Sequence, residues 1–160
     1  MSAPSILVVC SANICRSPVA EALLRRQLAD AGHGDVTVSS GGTRGRDGAG
    51  AATHSVDLLV GRGLDLSRHR SRSLDLPRLD GAALILAMEK GHVDLLVGSR
   101  PALGARTFRL AEMAGEARDV PDPYGGPRDG YEQMVADVED LIERGLPRIL
   151  AAIGRGASGR

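Results

Sequence analysis

Four short apolar segments alternate with amphipathic segments along the chain. The apolar segments, at residues 5–9, 36–39, 82–88 and 106–110, are rich in aliphatic residues and too short for typical helices, so they predict buried strands. Between them, apolar residues recur three or four positions apart, which is typical of helices. Because strands alternate with helices, the pattern predicts parallel pairing through right-handed crossovers. We therefore expect an α/β fold: a small doubly wound four-stranded parallel sheet with helices on both faces.

The helix boundaries are marked by particular residue types. Ser17 followed by Pro18 predicts a helix start, with Ser17 as the N-cap and Pro18 in the first helical position. A second helix is predicted at 53–61, with Val60 facing inward. The last helix is expected from about residue 129, and Gly145 and Pro147 should break or kink it.

Composition narrows the class of protein. A chain of 160 residues suffices for one domain, which we place at 1–153, followed by a flexible tail at 154–160. The formal net charge is zero, which argues against nucleic acid as the main partner. No secretion signal or membrane span is recognisable, so we expect a cytoplasmic protein without a membrane partner.

The only two cysteines, Cys10 and Cys15, lie in the segment CSANICRS, between the first predicted strand and the first predicted helix. A loop that enters a helix can direct several backbone N–H groups to one point, where the helix N-terminus adds the positive end of its dipole. Such a cradle binds phosphate, and the Arg16 guanidinium can hold two phosphate oxygens. The same surroundings stabilise a thiolate, so Cys10 is a candidate nucleophile aimed at a bound phosphorus atom.

Other interpretations of this segment stay open on the residues alone. Cysteine followed six positions later by arginine is a weak signal, and two buried cysteines at a strand–helix corner are the alternative. Asn13 favours a functional loop because asparagine tolerates left-handed backbone. A zinc site is disfavoured because two sulfurs do not complete a zinc shell. Asp122, which precedes Pro123, is either turn chemistry or an acid that protonates a leaving oxygen.

The segment VCSANICRSPVAEALLR resembles the active-site segment of the low-molecular-weight protein tyrosine phosphatases. The resemblance continues in LDLSRHRSRSL, in LILAMEKGHVDLL and in VPDPYG, and it runs from about residue 5 to 149. It implies the phosphotyrosine protein phosphatase I type of flavodoxin-like fold and a phosphatase that needs neither metal nor cofactor. Its expected partner is a phosphotyrosine protein or a small aryl phosphate, and the protein is expected to be a monomer or weak dimer.

The resemblance also implies a role for each matching residue. Cys10 attacks phosphorus, Arg16 clamps the phosphate, and Asp122 acts as general acid and then base. Ser40 and His69 would support the loop together with Asn13. The two loop cysteines would form a reversible disulfide under oxidation. The expected substrate- and phosphate-binding residues are Ser11, Ala12, Asn13, Ile14, Cys15, Ser17 and Tyr124.

The sequence departs from the family pattern at several positions. Many relatives have glycine at the position of Ala12. Many also carry an aromatic residue near the position of Arg46, so in this chain Tyr124 alone remains to flank the aromatic ring of a substrate. Ile14 fits the tyrosine-specific branch, since the phosphoarginine-specific branch has threonine there. Arg44 and Arg46 either select an acidic peptide or a small anionic ester or simply form a solvated loop. A phosphocysteine carrier would not need Arg16 or Asp122. A phosphotyrosine-binding module would be expected to lose Cys10 or Asp122, and both are present. An arsenate reductase relies on further cysteines, which are absent after Cys15.

Overall fold

A computed structural model of the chain describes residues 3–45 and 47–156; Arg46 and the end of the expected tail, 157–160, lie outside this part. The strands are β1 (Ser5–Cys10), β2 (Thr37–Gly42), β3 (Leu84–Ala87) and β4 (Thr107–Arg109). The helices are α1 (Arg16–Asp30), α2 (Thr53–Val60), α3 (Leu76–Gly81), α4 (Lys90–Ser99), α5 (Leu110–Met113) and α6 (Arg128–Ala152), with a 3-10 helix at Pro101–Arg106.

The four strands form one parallel sheet in the order β2-β1-β3-β4, which confirms the predicted fold class. Residues alternate between two cores, because side chains of a strand point to opposite faces. Ile6 and Val8 face the larger core, which α1 and α6 cover. Leu7 and Val9 face the smaller core, which α3 and α4 cover. The unbroken apolar run of β1 is therefore required by burial on both faces.

The strand order creates a crevice at the carboxyl ends of β1 and β3. The chain passes from β1 to β2 on one side and then to β3 on the other side of β1. Crossovers that leave in opposite directions open the space beyond these strand ends, where α/β sheets bind ligands. Cys10 ends β1, and Glu89 follows β3 as the N-cap of α4.

The predicted start of α1 is wrong by two residues. The helix begins at Arg16 with Cys15 in the N-cap position, so Ser17 lies inside the first turn and caps nothing. The Ser17 hydroxyl lies instead 3.0 Å from the sulfur of Cys10. Pro18 remains in the first turn, where a missing N–H removes no helical hydrogen bond.

Two further expectations about helices are wrong, namely the inward side chain of Val60 and a break in the last helix. Val60 is 64% exposed at the end of α2 and does not face inward. Helix α6 continues through Pro147 to Ala152, since Pro147 and Glu143 both lie on the exposed face, where the carbonyl that loses its partner can meet water. Gly145 serves packing, because a Cβ there would lie 2.8 Å from the Cβ of Met113. This glycine allows α5 and α6 to touch.

The last described residues are tied to the body of the protein. The Arg155 guanidinium donates to both carboxylate oxygens of Asp35, at 3.0 and 2.6 Å. Within the described residues, no helix is long and apolar enough to cross a membrane.

Candidate active site

Residues 11–15 form a tight loop whose carbonyl groups are held away from its centre. Five carbonyl oxygens of residues 10–15 accept hydrogen bonds from segments outside the loop. A loop whose carbonyls are fixed outward leaves its N–H groups free to converge on an anion. The pairs are Thr43 N to Cys10 O (3.0 Å), Arg44 N to Ser11 O (2.8 Å), His69 Nε2 to Asn13 O (2.7 Å), Ala52 N to Ile14 O (2.8 Å) and Ser55 Oγ to Cys15 O (3.3 Å).

Close approach between the loop and β2 depends on Gly42. A Cβ at this position would lie 2.5 Å from the carbonyl oxygen of Ser11 and 3.1 Å from the carbonyl carbon of Ala12. Both contacts are shorter than van der Waals distances. Only glycine therefore lets the end of β2 pack directly against the loop.

The sulfur of Cys10 has two hydrogen-bond donors of its own. The backbone N–H of Asn13 donates to it at 3.3 Å. The Ser17 hydroxyl accepts a hydrogen bond from Asn13 Nδ2 at 2.8 Å, so its own proton is available for the sulfur 3.0 Å away. These two contacts fix the position of the buried sulfur at the base of the loop.

Asn13 supports the loop from below. It is fully buried and has a φ of 61°, a left-handed conformation that asparagine tolerates better than most residues. Its Nδ2 donates to Ser17 and, at 2.9 Å, to the Ser40 hydroxyl, while its Oδ1 accepts from the backbone N–H of Arg72 at 2.9 Å. With His69 bound to its carbonyl, every polar group of Asn13 is satisfied.

Arg16 presents part of its guanidinium to the loop. The side chain is buried, and its Nη1 donates to Glu89 Oε2 at 2.6 Å and to the carbonyl of Val120 at 2.8 Å. Its Nη2 lies 3.5 Å from Asp122 Oδ2. Among the described residues its buried Nε has no hydrogen-bond partner. A buried donor rarely stays unpaired, so Nε is suited to bind a substrate oxygen.

Asp122 lies across a cleft from the loop. The cleft has a volume of about 260 Å³. The backbone N–H of Tyr124 donates to Asp122 Oδ1 at 3.1 Å, which orients the carboxylate while the other oxygen faces Arg16. The cleft is lined by Cys10, Ser11, Ala12, Ile14, Cys15, Arg16, Arg44, Ala49, Ser71, Asp122 and Tyr124.

The structure brings the twelve predicted site residues to one place, in two layers, while Arg46 lies outside the described residues. Eight of them line the cleft: Cys10, Ser11, Ala12, Ile14, Cys15, Arg16, Asp122 and Tyr124. The side chains of Asn13, Ser17, Ser40 and His69 lie beneath or beside the loop. Arg44 also lines the cleft and is exposed. Across residues 3–45 and 47–156, no group of three or more His, Cys, Asp or Glu side chains could hold a metal ion.

The second cysteine is in an apolar environment. Both thiols are free, and Cys15 Sγ lies 3.5 Å from the hydroxyl of Tyr131. Burial raises the pKa of the Cys15 thiol above its ordinary value, although the hydrogen bond with Tyr131 opposes this shift. Cys15 is therefore protonated at neutral pH, the form in which a thiol is a poor nucleophile.

Sequence reasoning missed His92 and Glu89. The His92 Nδ1 accepts from the backbone N–H of Glu89 at 3.2 Å, so in the neutral ring Nε2 carries the proton and donates to the Ser11 hydroxyl at 2.9 Å. Burial lowers the pKa of His92, which favours this neutral form. The signal in the sequence is slight: a histidine three residues into a helix that follows a buried strand, 81 positions from Ser11.

Comparison with known proteins identifies related chains. The family model for low molecular weight phosphotyrosine protein phosphatase matches residues 5–157. A low molecular weight protein-tyrosine-phosphatase from Streptomyces coelicolor is 36% identical over 165 residues, covering 97% of this chain and 96% of that relative. A protein-arginine-phosphatase from Geobacillus stearothermophilus is 36% identical over 140 residues, and the match covers 87% of this chain and 91% of that relative.

A solved structure shares the fold. The crystal structure of a low molecular weight protein tyrosine phosphatase from T. tengcongensis has a TM-score of 0.86 to this chain and 33% sequence identity. The alignment covers 91% of this chain and 99% of that structure.

Proposed function

The chain belongs to the low molecular weight phosphotyrosine protein phosphatase family, and we propose that it hydrolyses phosphotyrosine in proteins through a phosphocysteine intermediate on Cys10. The observation that carries this proposal is the loop itself. Its carbonyls accept hydrogen bonds from outside the loop, and the Cys10 sulfur lies within hydrogen-bond distance of the Asn13 N–H and the Ser17 hydroxyl. Among the described residues, the buried Nε of Arg16 has no partner. This arrangement is built for a tetrahedral anion with a nucleophile beneath it.

In the first step, the Cys10 thiolate attacks phosphorus and the bond from phosphorus to the tyrosine oxygen breaks. Asp122, in its protonated form, gives its proton to the departing oxygen. The loop N–H groups and Arg16 hold the three equatorial oxygens, whose charge is spread through the transition state. The products of this step are tyrosine and a phosphocysteine.

In the second step, a water molecule attacks the phosphocysteine. The Asp122 carboxylate takes a proton from that water, the phosphorus–sulfur bond breaks, and the thiolate and inorganic phosphate are released. The Ser17 hydroxyl, oriented by Asn13, stabilises the sulfur anion as leaving group. Asp122 begins the next cycle protonated again.

Ile14 supports phosphotyrosine over phosphoarginine as the substrate. Ile14 and the exposed Tyr124 both line the cleft, so an aromatic ring bound there would meet apolar surface. A guanidinium in the same place would lose water without gaining an acceptor from Ile14, whereas a threonine hydroxyl would supply one. The relative from G. stearothermophilus makes phosphoarginine the second candidate.

The test compares matched peptides. We expect kcat/KM for a phosphotyrosine peptide to exceed that for the equivalent phosphoarginine peptide about tenfold or more, and Ile14→Thr should narrow this ratio. Equal or inverted preference in the wild type would reject the tyrosine assignment. Turnover of p-nitrophenyl phosphate, with inhibition by vanadate, reports phosphatase activity independently of this choice.

Two substitutions test the mechanism. Cys10→Ser should abolish turnover, and Asp122→Ala should lower kcat by about 100-fold or more while substrate still binds, because general acid catalysis contributes on this scale. Asp122→Ala should then retain phosphoprotein from a lysate, and mass spectrometry would identify it. Wild-type turnover by Asp122→Ala would remove Asp122 from the acid role.

A further inference from the structure

A second cavity lies beside the proposed active site. It has a volume of about 430 Å³ and is lined by six leucines, and we call it the leucine groove. Its only charged lining residue is Arg100, whose guanidinium is held by Asp80 at 2.7–3.0 Å. The groove is thus suited to an apolar side chain. The six leucines are Leu74, Leu76, Leu79, Leu95, Leu96 and Leu103.

The groove opens next to the cleft that holds Cys10. Thr43 lines the groove, and its backbone N–H donates to the carbonyl of Cys10 at 3.0 Å. On the other side, His92 contacts Ser11 of the loop, and one turn further along α4 Leu95 lines the groove. One hydrogen bond therefore links Thr43 of the groove to Cys10, and one hydrogen bond and one helical turn link Leu95 to Ser11.

Exposed apolar side chains are concentrated at these two cavities. The described part of the chain has four exposed large hydrophobic residues. Leu76 and Leu95 are 54% and 53% exposed and line the groove, and Tyr124 lines the cleft. Only Val60 lies elsewhere. Exposed apolar surface gathered beside a binding site marks a surface that contacts a ligand.

We propose that the leucine groove binds an apolar side chain of the phosphoprotein substrate, a few residues from the phosphorylated residue. The inference rests on the proposed function, since it requires a peptide that enters the cleft. An extended peptide advances about 3.3 Å per residue, so a side chain near the phosphorylated residue reaches a neighbouring cavity. Specificity then comes from the flanking sequence as well as from the phosphorylated ring.

The experiment uses phosphotyrosine peptides with serine flanks, in which one leucine is moved through four positions on each side. We expect kcat/KM to rise about three- to tenfold at one or two adjacent positions, mainly through a lower KM, as partial burial of a leucine side chain allows. In the variants Leu95→Ser and Leu76→Ser, the ratio of kcat/KM for the leucine peptide to kcat/KM for the serine peptide should fall towards one. Val60→Ser, which removes an exposed apolar residue outside the groove, should keep the wild-type ratio.

Each contrary outcome has a distinct meaning. A flat profile in a wild type that turns over every peptide would overturn the groove assignment and leave the proposed function standing. Preference that persists in both leucine variants would also overturn it. Concentration-dependent dimers that Leu95→Ser dissociates would show that a second copy fills the groove. No turnover of any peptide or of p-nitrophenyl phosphate would reject the function and the groove together.

Discussion

Replacing Asn13 by alanine removes three buried hydrogen bonds at one point. The bonds run from Nδ2 to Ser17 and Ser40 and from the backbone N–H of Arg72 to Oδ1. The backbone at this residue also has a φ of 61°, which alanine adopts with strain. The substitution therefore weakens both the folded state and the support of the Cys10 sulfur.

The expected size follows from these contacts. Three buried hydrogen bonds at about 1 kcal/mol each amount to about 3 kcal/mol. Left-handed alanine adds about 1 kcal/mol, for a total of about 4 kcal/mol. Domains of this kind have an unfolding free energy of about 5–15 kcal/mol, so this loss is a large fraction of it. Without Asn13 the Ser17 hydroxyl is no longer oriented towards sulfur, which should lower kcat about 10- to 100-fold.

Two measurements check this prediction. Urea unfolding gives the change in the free energy of unfolding, and p-nitrophenyl phosphate kinetics give kcat. The matched control is Ser40→Ala, which removes one of the three bonds to Asn13 and leaves Ser17 in place. Ser40→Ala should lower the free energy of unfolding by about 1–2 kcal/mol, because the hydrogen bond from Ser40 to Glu21 is also lost, and it should change kcat little. An Asn13→Ala variant within 1 kcal/mol of the wild type, or with unchanged kcat, would refute the reasoning.

Three further outcomes are expected. Arg16→Lys should lower kcat/KM for p-nitrophenyl phosphate about 100-fold, because an ammonium cannot replace the planar fork; a loss below threefold would contradict this. The pKa of His92 is lowered, so the stability that its neutral form provides is present above about pH 6.5 and is lost as the pH falls. The melting temperature of His92→Asn should therefore drop less between pH 7.5 and pH 5 than that of the wild type, and equal drops would contradict this. Gly145→Ala should lower the unfolding free energy by about 1–3 kcal/mol in urea, since Met113 occupies the space for a Cβ; an unchanged midpoint would contradict this.

Local pattern was sufficient for the four strands and for helices α1, α2 and α6, apart from their exact ends; it did not predict α5, which begins at Leu110 inside the segment expected to be the fourth strand. The apolar run of β1 needs burial on both faces, which only a strand within a covered sheet provides. The loop could also be predicted, because Cys10, Asn13 and Arg16 lie within seven consecutive positions and all three are suited to a loop that binds one anion. The sequence indicated Asp122 as a candidate acid. It could not predict that Asp122 lies next to Arg16, since 106 positions separate them in the chain.

The errors share a physical cause. Ser17 has the composition of an N-cap, but its hydroxyl is drawn to Cys10 and Asn13, and the helix begins before it. Gly145 has the composition of a helix breaker, yet it is retained in α6 because Met113 packs against it. In each case a contact in space decides the role of the residue. Met113 is distant from Gly145 in the chain, whereas Cys10 and Asn13 are near Ser17 in sequence and meet its hydroxyl because the loop folds back on itself.

The sequence by itself determined the alternation of strands and helices, and it was enough to single out the loop with its proposed nucleophile and clamp, because these depend on neighbouring residues and on short-range backbone physics. Only the tertiary structure decided that His92 and Glu89 join Ser11 and Arg16, and that the leucine groove opens beside Cys10. Contacts of this kind depend on which strands are neighbours in the sheet and on which face each crossover helix packs. The sequence pattern does not give the distance between residues that are far apart in the chain.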